Sequence, residues 1–314
     1  MIKLENVTKK YGKFEALKGI SFEVNEGEIV GLLGPNGAGK TTTMNIITGF
    51  IEQTSGKVII NEIDMQKKPN KAKKLIGYMP EGVPLYNDLT VKEFIEYMAE
   101  LKGVQKNQIK ENVQKAIEDA GLTDVQNKLN KNLSRGYKQR VSLAGTLVSN
   151  PKVIILDEPT VGLDPKQVTE IREVIKKLGK NHTVILSSHI LSEVSQICNR
   201  VIIMNMGEVV AVDTPENLEK KVSSKNILYV TVEDTENKVI GMKEKIEGII
   251  NIKLEKTNED GTKQYLIEVD AKKDIRKTLF ASFAKENLTI FEMKKADTSL
   301  EDAFMKLIEK GEKK

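Results

Sequence analysis

Short, almost wholly apolar runs recur through the first two thirds of the chain. "GEIVGLLG" (27–34), "KVIILDEP" (152–159), "TVILSSH" (183–189) and "RVIIMNMGEVVAVD" (200–213) have the β-rich composition of strands covered on both faces. Between Glu93 and about Leu147 the period changes. "VKEFIEYMAELKG" and "IKENVQKAIEDAGL" repeat apolar residues at three and four positions, which predicts a helical subdomain, about 88–148, inserted into the sheet. After "PENLEKKVSSKN" a second unit opens. "ILYVTVED" reads as a strand and "NKVIGMKEKIEG" as a helix. "IINIKLEKT" and "KQYLIEVD" read as a hairpin around Asp260-Gly261, followed by a helix near 272–287 and a strand in "LTIFEMKK". That β-α-β-β-α-β order predicts a small α+β, ferredoxin-like domain over 223–314, behind an α/β domain over 1–222. A last helix starts at the capping-box pair Thr298 and Glu301. Its apolar stripe, Leu300, Ala303, Phe304, Leu307 and Ile308, reads as a docking face.

Composition narrows the setting. With 314 residues, 39% hydrophobic and 30% charged, the chain can bury a core in each of two domains. Forty-nine Lys and Arg against 45 Asp and Glu describe a mixed, solvated surface, so no nucleic-acid partner is expected. The lysine cluster "QKKPNKAKK" reads as a solvated loop. One cysteine and two histidines allow neither an internal disulfide nor a Cys–His metal cage; Cys198 reads as a small buried apolar residue and His182 as structural. The N-terminus lacks the apolar stretch of a signal peptide, and no run approaches the ~20 residues needed to span a bilayer. A cytoplasmic location is expected.

The chemistry is concentrated in "GPNGAGKT". Gly34, Pro35, Asn36, Gly37, Ala38, Gly39, Lys40 and Thr41 fit G-x-x-x-x-G-K-[ST] between a strand and the helix that begins "TTTMNIITGF". Backbone N–H groups of such a loop, continuing to Thr42, wrap phosphates; Lys40 supplies a cation and Thr41 a hydroxyl for Mg²⁺. A second buried strand ends in Asp157, suited to the metal shell, and Glu158, suited to polarise an attacking water. The Asn-Lys-x-Asp expected for guanine is absent, since "NKLN" at Asn127 lacks the acid. The nucleotide read here is ATP.

Six elements in order then resemble the nucleotide-binding subunits of ATP-binding-cassette (ABC) transporters, over about the first 222 residues: "KKYGKFEAL", the phosphate loop, "IGYMPE", "LSRGYKQR", "VIILDEPTVGLDP" and "SSHILSEV". The resemblance implies a P-loop ABC ATPase domain whose subunits stack head-to-tail. Ser134 and Gly136 of one would close over the ATP of the other. It implies that Tyr11 stacks on adenine, that Glu81 (Gln in most of the family) touches Mg²⁺ or the attacking water, that Asp164 couples the two sites, and that His189 reads the γ-phosphate. Arg135 stands where the family has Gly: it either adds a contact to phosphate or partner, or points to solvent. Tyr137 replaces a Gln. "LSRGYKQR", the acidic "PE" and the ending "TSLEDAFMKL" are similar to the ATP subunits of drug, lipid and polysaccharide exporters, including gliding-motility, nodulation and daunorubicin-like systems. The expected partners are a second copy of the chain and a separate multi-span permease, with the ATPase peripheral on the cytoplasmic face of the membrane. A soluble ABC-class ATPase acting on ribosomes or DNA is the alternative; it is disfavoured by a single cassette without heptad arms. A purely regulatory nucleotide-binding module is disfavoured by the presence of both Glu158 and His189.

Overall fold

The structure, a computed structural model, describes residues 1–82, 85–222, 225–234, 238–270 and 274–295. The chain divides between Pro215 and Glu216 into two compact units, so the helix Pro215–Val222 groups with the second.

The first unit is organised by a six-stranded sheet in the spatial order Glu208–Asp213, Arg200–Asn205, Ile29–Leu33, Thr183–Ser188, Val153–Leu156, Ile76–Met79. All neighbours are parallel except the first pair, an edge hairpin whose two-residue turn is Met206-Gly207, both at positive φ (46° and 80°). Every residue of Ile29–Leu33, Val153–Leu156 and Thr183–Ser188 is buried, which is why these strands show no alternation of polar and apolar residues. Parallel strands bring their carboxyl ends to one edge. Leu33 runs into the phosphate loop, Met79 into Pro80-Glu81, Leu156 into Asp157-Glu158 and Ser188 into His189. In open α/β sheets that edge is where ligands bind.

A second, antiparallel sheet (Phe14–Val24, Ile2–Tyr11, Ser55–Ile60, Ile63–Asp64) packs its apolar side into the same core. Its alternation is interrupted by register shifts at Leu4/Val7, Val7/Thr8 and Lys9/Lys10 and by Asn6 at φ 47°, which hide the strand period in the sequence. The inserted subdomain contains the helices Val91–Leu101, Lys106–Asp119 and Arg135–Leu147. Thr90 and Glu93 form a capping box at the first. Gly145 lets Phe94 and Met98 close on the third, since a Cβ there would meet each at 3.2 Å. The lysine-rich segment is not all loop: Pro69–Lys73 is a short helix that buries Ala72. Cys198 is buried, and burial pushes its thiol pKa up. His182 is structural, its Nδ1 2.7 Å from the Pro151 carbonyl. Among the described residues no helix is long and apolar enough to cross a membrane.

The second unit has the antiparallel strands Lys225–Val232, Ile249–Thr257, Lys263–Asp270 and Ile290–Lys295 in spatial order second, third, first, fourth. With helices after the first and third strands this is the ferredoxin-like topology. The first helix covers only Lys238–Gly241, shorter than its sequence suggests; turns occupy 242–248. Thr298, Glu301 and the stripe from Leu300 to Ile308 lie outside the described residues.

A buried acid anchors this unit. Asp234, 1% exposed, accepts from Lys238 N–H (2.9 Å), Val239 N–H (3.1 Å) and Tyr265 O–H (2.8 Å). Burial alone would raise its carboxyl pKa; the bonds from Val239, Tyr265 and Lys238 outweigh it and hold the group below the usual carboxylate range. A depressed folded-state value stabilises the fold above the unfolded-chain pKa, about 4, and that contribution is lost as pH falls through the folded value. Asp234→Ala is expected to lower stability by about 1–3 kcal/mol for each donor left buried and unpaired. It should also flatten the loss of stability on acidification; thermal melts of the full chain at pH 7 and pH 3 check both.

Candidate functional site: a phosphate loop facing two acids

The helix Lys40–Ile47 begins at Gly39, whose φ of 101° suits glycine and whose side-chain position is closed by Leu17 Cδ2, 2.7 Å from where a Cβ would stand. No side chain caps this helix, so its first N–H groups remain for an anion. Lys40, 6% exposed, folds back over the loop: Nζ donates to the carbonyls of Gly34 (2.7 Å) and Pro35 (3.3 Å) and lies 3.6 Å from Glu158 Oε1. Gly34 is packed from behind. A Cβ there would sit 2.4 Å from the Met204 carbonyl oxygen, and Gly207 N–H donates to the Ala38 carbonyl at 3.1 Å.

Across from the loop, Asp157 N–H donates to the Met79 carbonyl (2.9 Å) and Asp157 is 1% exposed. Its Oδ1 accepts from Ser187 Oγ at 2.6 Å and Thr41 Oγ1 at 3.4 Å. Ser187 Oγ also accepts from Glu158 N–H at 2.8 Å, so one hydroxyl fixes both acids. Glu158 adopts φ 47°, a conformation uncommon outside glycine and frequent at functional positions. It turns the carboxylate back between Lys40 and His189, whose Nδ1 is 3.0 Å from Glu158 Oε2. Behind them, Tyr78 O–H donates to Asn45 Oδ1 (3.1 Å), joining the strand before Glu81 to the helix after the loop. Burial, then the Asp157 charge, push the Tyr78 pKa up to about 12, keeping it a donor.

These groups open on a cavity of about 450 Å³ lined by Pro35 to Thr42, Glu81, Glu158, Val161, His189, Phe14 and Ala16. Gly34 and Asp157 stand outside the lining. So does Tyr11, half exposed with Lys9 Nζ 5.0 Å from its ring centroid; Phe14, its partner across the hairpin turn, lines the cavity instead. Sequence reading missed Phe14 and Ser187. An aromatic three residues beyond Tyr11, and two hydroxyls directly before His189 in an otherwise apolar strand, were the available signals.

The structure does not bring Ser134, Arg135, Gly136 and Asp164 to that cavity. Ser134 caps the helix Arg135–Leu147, accepting from Tyr137 N–H at 3.4 Å, and Asp164 caps Pro165–Leu178, accepting from Gln167 N–H at 2.9 Å. With Gly136, Tyr137 and Gln167 they line a separate hollow of about 240 Å³. Tyr137 braces the helix start: its O–H donates to Asp124 Oδ2 (3.0 Å), a bond that raises its pKa, and the Arg140 guanidinium lies 5.7 Å from its ring centroid.

A third hollow, about 440 Å³, lies between the helical subdomain and the sheet. Lys73, Lys74 and Lys102 line it, with Gln105 and Asn112, and no acid does. Lys102 donates to the Thr146 carbonyl (3.0 Å), and burial lowers its pKa to about 8.

Residues 17–161 match the family model described as ABC transporter. The linearmycin resistance ATP-binding protein LnrL of Bacillus subtilis is 36% identical over 233 residues, covering 74% of this chain and 75% of LnrL. The uncharacterized ABC transporter ATP-binding protein YxlF of the same organism is 33% identical over 98% of this chain and 99% of its own. Among solved structures, the dimeric post-hydrolysis state of the ATP-binding cassette MJ0796 bound to ADP and Pi superposes with a TM-score of 0.61 at 31% identity, covering 68% of this chain and 98% of that one.

Proposed function

Because the chain belongs to the ABC transporter family as an ATP-binding subunit with ATPase activity, we propose that it powers an exporter: two copies close head-to-tail around two ATP·Mg²⁺ and drive a separate multi-span permease from the cytoplasmic face of the membrane. The observation that carries this reading is the separation of the two half-sites. Lys40, Glu158 and His189 share one cavity, while Ser134, Gly136 and Asp164 line another that has no residue in common with it. A helix N-terminus suited to the γ-phosphate needs a second subunit to reach it. The dimeric cassette bound to ADP and Pi supports that arrangement. The resistance role in the name of LnrL supports the drug-exporter branch.

In this reading Glu158 takes the proton of the attacking water, held in place by Ser187 and by its left-handed backbone. Lys40 exchanges its loop carbonyls for phosphate oxygens. His189 contacts the γ-phosphoryl while its Nδ1 remains with Glu158. Tyr11 and Phe14 flank the adenine. The Thr41 hydroxyl and the buried Asp157 carboxylate, 3.4 Å apart, fit the sparse protein donor set of Mg²⁺, which keeps waters and phosphate oxygens. Glu81, which lines the same cavity, would join them. Bound there, the ion would neutralise charge on the β and γ oxygens.

The permease side is supported by a group of exposed large apolar side chains and a cationic hollow. Tyr86, Tyr97 and Leu101 are exposed, the two rings edge-to-face at 5.3 Å; Lys102, next in the chain after Leu101, lines the hollow with Lys73 and Lys74. A coupling segment with an apolar face and acidic residues fits both. The test is capture of tagged Glu158→Gln from detergent-solubilised native cells with ATP·Mg²⁺, followed by mass spectrometry. A multi-span protein in near-stoichiometric amount is expected, and Lys74→Glu should reduce it. Ribosomal or DNA-bound proteins without a permease would turn the reading to a soluble ABC ATPase.

A further inference from the structure

The Arg135 side chain does not stand free. An ideal Cβ on Gly162 would fall 2.1 Å from Arg135 Cζ and 2.2 Å from each of its two Nη atoms. Near-equal distances to all three atoms mean that the guanidinium lies with its flat face over the Gly162 backbone. Gly162 has φ +71°, so both the backbone conformation and the overlying cation select against any side chain there. This contact is the first of a series. Gly136 is closed over by Gln167, whose Cδ would be 2.7 Å from a Cβ; Gln139 Nε2 donates to the Pro159 carbonyl at 3.0 Å; Arg140 pairs with Glu170. Positions 135, 136, 139 and 140 form one face of the helix. That face is seated on the segment that leaves Glu158 and reaches the helix Pro165–Leu178.

We propose that Arg135 is a positioning residue that clamps the loop between Glu158 and Asp164 to the helix Arg135–Leu147 of its own subunit. Of the four contacts it alone reaches the middle of that loop, four residues after Glu158. A glycine at position 135 has no side chain to make it. Displacement of the helix start, when Ser134 and Gly136 meet the nucleotide of the opposite subunit, therefore passes through the guanidinium to Gly162 and from there to Glu158. The clamp sets turnover and the coupling of the two sites, not nucleotide affinity. It rests on the head-to-tail reading for the source of the displacement, while the contact itself lies within one chain.

Two measurements on the full-length protein separate this role from a direct contact with the opposite nucleotide. ATP-dependent dimerisation is followed in the Glu158→Gln background, and steady-state ATP turnover in the Glu158 background. Arg135→Ala is expected to leave the ATP concentration for half-maximal dimerisation within about twofold, to leave KM similarly unchanged, and to lower kcat about tenfold with a Hill coefficient falling toward 1. Arg135→Lys keeps the charge but has no planar face, and should lose as much as the alanine variant. Gly162→Ala, which displaces the guanidinium, should lower kcat comparably, and the double variant should be no worse than either single one. Thermal melts confirm that the variants are folded. Full activity in Arg135→Lys, or dimerisation weakened about tenfold in Arg135→Ala, would identify a phosphate contact and overturn the clamp, as would additive losses in the double variant. Failure of Glu158→Gln to dimerise with ATP would count against the head-to-tail reading alone, since the cycle in turnover still decides the clamp.

Discussion

Replacement of Glu158 by glutamine is expected to lower ATP turnover by about 10²–10⁴-fold, the contribution of a well-placed general base, while ATP binding and ATP-dependent dimerisation persist. Glutamine has the same length and can keep the left-handed backbone that Ser187 holds at 2.8 Å. It has no carboxylate to accept a proton. It also withdraws the charge now 3.6 Å from Lys40 and 3.0 Å from His189, leaving both side chains freer for phosphate oxygens. Affinity should therefore hold or rise as catalysis falls, giving a long-lived closed dimer. Phosphate release assays and size-exclusion chromatography with and without ATP test the two halves separately. Retention of most turnover would remove Glu158 from its assigned role and leave Asp157, buried and shared between Ser187 and Thr41, without a neighbouring base.

Ser134→Arg should abolish closure while sparing binding. Ser134 is exposed and lies outside the phosphate-loop cavity, so a single subunit should still bind a fluorescent ATP analogue normally. Its oxygen caps the helix Arg135–Leu147, and loss of that cap costs about 1 kcal/mol. That is a modest effect on folding, because the helix interior from Val141 to Leu147 is buried. A long cation where a helix N-terminus should meet phosphate blocks the approach of the opposite subunit. Turnover should fall by about 10²-fold or more, on the scale of removing a preorganised donor. Analytical ultracentrifugation of Ser134→Arg/Glu158→Gln with ATP would show monomer; a dimer would reduce the motif to a helix start.

The phosphate loop and the strand ending in Asp157-Glu158 were legible in the sequence because each is short, contiguous and placed at the end of an apolar run; His189 was marked only by the family resemblance. The ferredoxin-like order could be read from the apolar periodicity, apart from the length of its first helix, which ends at Gly241 although Val239, Met242 and Ile246 keep a helical spacing and are buried. Two kinds of information were not local. Register shifts and Asn6 mask the N-terminal antiparallel strands, whose pairing to Ser55–Ile60 is set by partners about 50 residues away. Contacts between segments far apart in sequence, such as Ser187 with Asp157, or Arg135 with Gly162, depend on which loops the sheet brings together, and no spacing rule encodes them. Phe14 and Tyr11 show the limit at one turn: the family pattern marks Tyr11, while the fold turns Phe14 to the cavity wall.

The wedge behind the phosphate loop has a thermodynamic meaning. Gly34 has no room for even a methyl group beside the Met204 carbonyl, and the Ala38 carbonyl is tied to Gly207 N–H on the neighbouring hairpin. The loop is thus held by backbone contacts to the sheet, not by the anion it is shaped for. The entropy lost in ordering the loop belongs to folding, so nucleotide capture carries little further ordering penalty. The loop backbone should accordingly superpose closely between crystals grown without and with nucleotide, with the rearrangement concentrated in the Lys40 side chain.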